Sequence, residues 1–120
     1  MQRILAIDDD KDILEILQLI LEYKGYEVET LADGRHLFET IKQYHPDLII
    51  LDIMLGNFDG RKLCSELKSH RDTRDIPVIL LSASHTVHGN FHKNGNPDDF
   101  IAKPFDIDIL LNSVERQLVA

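Results

Sequence analysis

Residues 3–23 read RILAIDDDKDILEILQLILEY. Arg3 to Ile7 is a short apolar run of strand length, and beyond three consecutive aspartates the apolar residues Ile13, Ile16, Leu17, Ile20 and Leu21 recur at helical spacing. A strand followed directly by an amphipathic helix is the opening of an alternating α/β chain. Gly25 then stands where a helix C-terminal cap is expected. Tyr26, Val28 and Thr30 alternate with Glu27 and Glu29 in the two-residue period of a half-exposed edge strand.

The same unit recurs along the chain. Asp33 is placed to cap a second helix with Leu37, Ile41 and Tyr44 inward, and Pro46 ends it before the wholly apolar strand Leu48 to Leu51. A strand apolar on both faces belongs in the centre of a sheet. A third helix from about Asp59 turns Leu63, Cys64 and Leu67 inward, and Ile76 to Leu81 forms another buried strand. From Ser84 to Pro97 only Val87 and Phe91 offer an apolar pair at helical spacing, among residues that disfavour helix, so a short or irregular fourth helix is expected. Phe100 to Ala102 makes the last strand. Asp106 caps a final helix with Ile107, Leu110, Leu111, Val114 and Leu118 in one stripe. Alternating strands and helices require crossover connections of one hand, hence a doubly wound, five-stranded parallel sheet with helices on both faces.

Bulk properties narrow the function. With 120 residues and 43% hydrophobic content the chain has the material for one packed domain. Its formal charge of −8 opposes direct binding to nucleic acid. No apolar run approaches the roughly 20 residues that span a bilayer, and the N-terminus lacks the basic and apolar regions of a signal peptide, so no membrane role and a cytoplasmic location are expected. The single cysteine, Cys64, reads as a small core residue rather than a reactive thiol.

In doubly wound sheets ligands bind beyond the carboxyl ends of the strands. The residues at those ends are Asp8 and Asp9 after the first strand, Asp52 after the third, Ser82 after the fourth and Lys103 after the fifth. Three carboxylates in one crevice repel unless a cation sits among them. An all-oxygen site without His or Cys suits Mg²⁺. Asp10, by contrast, reads as a helix cap.

The sequence resembles the receiver domains of two-component response regulators over essentially all of residues 1–120. The resemblance is carried by Ile7-Asp8-Asp9-Asp10, Asp52-Ile53-Met54-Leu55 with Asp59-Gly60, Ser82-Ala83 and Lys103-Pro104-Phe105, in that order. It implies a flavodoxin-like strand order 2-1-3-4-5 and a phosphoacceptor switch rather than an enzyme. Asp52 would be the acceptor, Asp8, Asp9 and Asp52 the Mg²⁺ carboxylates, and the Met54 carbonyl a further ligand. Ser82 and Lys103 would hold phosphoryl oxygens, and Phe100 would occupy the place of the family's switch aromatic. A histidine kinase or phosphotransfer protein would supply the phosphoryl group, and a downstream protein or an output domain would read the result.

Two departures bear on this. Gly56 stands four residues after Asp52 where the family usually has proline, and the segment from Ser84 to Pro97 lacks an amphipathic helix. The second favours the alternative of a phosphorylation-independent binding module, against which Asp52, Ser82 and Lys103 weigh. A phosphatase using an aspartyl-phosphate intermediate would need a second acid two residues beyond Asp52, where Met54 stands. His85, His88 and His92 lack acidic or cysteine co-ligands and read as surface residues.

Overall fold

A computed structural model describes residues 1–83 and 96–119. The chain runs β1 (Arg3–Ile7), α1 (Lys11–Tyr23), β2 (Glu27–Leu31), α2 (Leu37–Tyr44), β3 (Leu48–Asp52), β4 (Met54–Leu55), β5 (Phe58–Asp59), α3 (Gly60–Ser69), β6 (Val78–Ser82), β7 (Asp99–Ala102) and α4 (Ile107–Val119). The main sheet is parallel throughout, with order β2-β1-β3-β6-β7. Counting only its five strands in chain order, this is 2-1-3-4-5, as the resemblance implies. β2 is an edge strand, as its polar alternation predicts. The expected irregular helix between Ser84 and Pro97 falls almost wholly outside the described residues.

The apolar strands read as continuous runs because each face of the sheet has its own core. Leu5, Ile7, Ile49, Leu51, Val78 and Leu80 point to the side of α2 and α3, where Leu37, Ile41, Leu63 and Leu67 meet them. Their alternating neighbours Ile4, Ala6, Leu48, Ile50, Ile79 and Leu81 point to the opposite side and pack on Leu14, Leu17 and Leu21 of α1 and on Leu110 and Val114 of α4. The two-residue period of the pleat sorts the side chains between two layers.

Local signals set most boundaries. The Asp10 carboxylate accepts hydrogen bonds from the Asp12 and Ile13 amides and starts α1. Gly25, at φ +94°, ends that helix in a conformation glycine adopts without strain. Asp59 caps α3, and Asp106 opens α4 through the Asp108 and Ile109 amides.

Three local expectations are corrected and one element is added. Asp33 does not cap α2: it accepts from the Arg35 amide in a tight turn, and the helix starts later, after His36, without a side-chain cap. β6 starts at Val78 because Pro77, lacking an N–H, delays the ladder. Ile16 and Ile107 are 47% and 49% exposed, since Leu14 and Leu110 take the inward places on their helices. The two-residue hairpin of β4 and β5 has no counterpart in the sequence pattern.

Candidate functional site

Parallel register brings the carboxyl ends of β1, β3, β6 and β7 to one rim. Asp8 directly follows β1, and its amide donates to Leu31 O at 3.1 Å, so the backbone stays in the sheet for one residue past the strand. Its fully buried carboxylate accepts from the Asp10 amide at 2.9 Å and from Lys103 Nζ at 2.7 Å. Asp52 closes β3 opposite Leu81 and is 3% exposed, with Oδ1 3.1 Å from Lys103 Nζ. Carboxylate oxygens of Asp8, Asp9 and Asp52 all lie within 4.8 Å of one another, and Asp9 contributes the exposed lip of the cup.

Lys103 enters from the far strand. Its amide donates to Ser82 O at 2.6 Å, which carries the β6–β7 ladder one residue beyond β7 and aims the side chain across the rim. Ser82 itself ends β6, is 2% exposed, and pairs with Ala102. The cup thus carries three formal negative charges against one ammonium. Burial first, then the Asp8 carboxylate, push Asp52 up from 3.8 to about 6 despite the opposing pull of Lys103. For Lys103, burial pulls downward, but the hydrogen bond to Asp8 and the two carboxylate charges outweigh it and the net shift is upward.

Those features are a test of fit for a cation. A buried carboxylate that resists ionisation beside two others gains from a divalent ion, and the donors are hard oxygens without a nitrogen or sulfur ligand in the cluster. Asp10 stands apart, spending its carboxylate on the α1 cap.

Met54 lies two residues past Asp52 on β4, paired with Asp59, and is 71% exposed. Phe100 is half-buried on β7 opposite Leu80 and packs against the core beneath α2 and α3. His85, His88 and His92 lie outside the described residues. Cys64 is fully buried, and burial pushes its thiol up to about 11, in keeping with a core role.

Gly60, which enters the sequence pattern only as part of a motif, also positions the site. A Cβ on Gly60 would stand 2.1 Å from the Asp52 carbonyl oxygen and 2.7 Å from Ile53 Cα. Its amide donates to Ile53 O at 2.7 Å, so the start of α3 is pressed against the backbone that presents Asp52. A glycine immediately after the helix-capping Asp59 is the available signal, because such a place calls for close backbone approach.

Comparison with known proteins agrees with this fold. The family model of the response regulator receiver domain matches residues 4–115. The chain is 38% identical over 119 residues to the DNA-binding dual master transcriptional regulator RpaA of Synechocystis, covering 98% of this chain and 49% of that protein. It is 36% identical over 110 residues to response regulator MprA of Mycolicibacterium vanbaalenii, covering 91% and 47% respectively. The chain therefore spans about half the length of these curated relatives. Among solved structures it is similar to response regulator protein TrrA of Thermotoga maritima, determined in complex with Mg²⁺-BeF. The TM-score is 0.88 and the identity 30%, over 98% of this chain and 100% of that one.

Proposed function

This chain belongs to the response regulator receiver domain family, and from that membership we propose that Asp52 accepts a phosphoryl group and so switches a two-component signalling pathway. The observation that carries the reading is the meeting of Asp8, Asp9, Asp52 and Lys103 in one cup, although they are as many as 95 residues apart in sequence.

The ionised Asp52 oxygen attacks phosphorus. The bond from phosphorus to the donor's leaving atom breaks as the carboxylate–phosphorus bond forms, giving an acyl phosphate and the free donor. Lys103 holds the nucleophile in place through its 3.1 Å contact and supplies a positive charge where the phosphoryl oxygens arrive. The Ser82 hydroxyl stands at the neighbouring strand end, from which it would donate to a phosphoryl oxygen. A Mg²⁺ ion held by Asp8, Asp9, Asp52 and the Met54 carbonyl would neutralise charge on the transferring group. Water later cleaves the acyl phosphate and resets Asp52. The new phosphate would draw in the Ser82 hydroxyl and Lys103, and the change would be relayed through Ser82 to Phe100.

The phosphoryl donor on this reading is a histidine kinase or phosphotransfer protein. The reader of the state is a downstream partner or an output domain, a reading favoured by relatives twice as long as this chain, of which one carries DNA binding in its name. DNA contact would then belong to the part of such a protein beyond the receiver, since this unit is acidic.

The test is intact-mass spectrometry after incubation with acetyl phosphate and Mg²⁺. The expected outcome is one added phosphoryl group on the wild type and none on Asp52→Asn. An unmodified wild type, or equal modification of the variant, would refute the proposal.

A further inference from the structure

Two adjacent aspartates fasten the start of β7 to both helical layers. On the α3 side, Asp98 Oδ2 accepts from Lys68 Nζ at 2.7 Å and from the Val78 amide at 2.8 Å. On the α4 side, Asp99 Oδ2 accepts from the Ser113 hydroxyl and from Arg116 Nη2, the latter at 3.1 Å, while its Oδ1 accepts from the Phe100 amide at 2.7 Å. Ser113 is fully buried in the middle of α4, and Arg116 lies one turn further along.

The apolar contacts of α4 are of a different kind. Leu110 and Val114 pack in the core beneath α1 and α4, and apolar contact holds two surfaces together without fixing their register. A carboxylate shared by a hydroxyl and a guanidinium is directional, and sliding α4 along β7 would break both bonds at once. β7 ends the sheet order, with a ladder partner on one side only, and it runs from Asp99 directly to Lys103 in the cup. A strand held at one end by the cup and at the other by α4 joins the two.

Resting on the reading of Asp52 as phosphoryl acceptor, we propose that Asp99 is a positioning residue that locks α4 to β7. Rearrangement of Lys103 at the cup is thereby delivered to the outer face of α4. Asp99 touches no reacting atom. Its effect is on whether loading of the site is felt thirteen residues along the chain from Lys103, where Arg116 stands exposed.

The experiment compares amide NMR spectra with and without Mg²⁺ and beryllium fluoride for the wild type, Asp99→Asn, Ser113→Ala, Arg116→Gln and Arg116→Lys. In the wild type, loading should shift amides at Asp52, Ser82 and Lys103 and also those from Leu110 to Leu118. In Asp99→Asn the cup shifts should persist while the α4 shifts fall by about threefold or more. Arg116→Gln should show a smaller loss, and Arg116→Lys should retain the response. A loaded wild type with a silent α4, or α4 shifts unchanged in Asp99→Asn, would overturn the lock alone. Should Asp99→Asn fail to fold, Ser113→Ala decides, with the same threefold fall in α4 shifts expected and an unchanged response overturning the lock. A wild type that never loads would sink the acceptor reading, and the lock with it.

Discussion

Ionising Asp52 among buried and acidic neighbours costs stability that a bound cation would offset. Burial first, and then the neighbouring Asp8, push the Asp52 carboxyl up from 3.8 to about 6. An acid whose folded pKa lies above its unfolded value keeps an extra proton in the native state between those two pH values. Stability is therefore lost as pH rises through that window, and the loss is complete above it. At roughly 1.4 kcal/mol per unit the penalty is at most about 3 kcal/mol. Asp52→Asn should consequently resist urea better than the wild type at pH 7.5 in the presence of a chelator, and the advantage should vanish near pH 4. An equal difference at both pH values would argue against a titration origin. Gly60 acts on the same carboxylate through the backbone. Gly60→Ala must push α3 off the Asp52 carbonyl, with an expected cost of about 3 kcal/mol in urea unfolding and a slower acceptance of phosphoryl groups. The residue types at the cup are legible in the sequence, because each falls at the end of a strand. The contact between Lys103 and Asp8 is not, since a lysine at a strand end is compatible with open solvent.

At the scale of elements, a cap is legible only when the helix begins where the propensity says it does. Asp10 and Asp33 look alike in sequence, each an aspartate ahead of an apolar periodic stretch. The first caps α1 through two amides, whereas the second closes a turn and leaves α2 to begin after His36. Asp10→Ala should therefore lower stability by about 1 kcal/mol, and Asp33→Ala by about 0.5 kcal/mol or less. Chemical denaturation of the two variants side by side measures the difference, and equal losses would contradict it. The interior strands are legible because continuous apolar runs and a parallel sheet are two views of one fact. The β4–β5 hairpin is not, because two-residue strands carry no periodicity, and its place follows from Gly56 at φ +62° reversing the chain.

For the whole molecule, the pattern of alternating elements determines the layers and the direction of every strand of the main sheet, while the strand order comes from the family resemblance and agrees with the structure. Among the described residues no helix is long and apolar enough to cross a membrane. Asp8, Asp52 and Lys103 are delivered by three separate strands, and no short stretch of the chain contains the cup. It comes into being only when distant segments have docked in the right order, so a ligand seated there recognises the finished architecture and nothing less. Such a ligand draws the population away from unfolded chains, by an amount that grows with the logarithm of its concentration above its dissociation constant, so that loading the site also makes the chain harder to unfold.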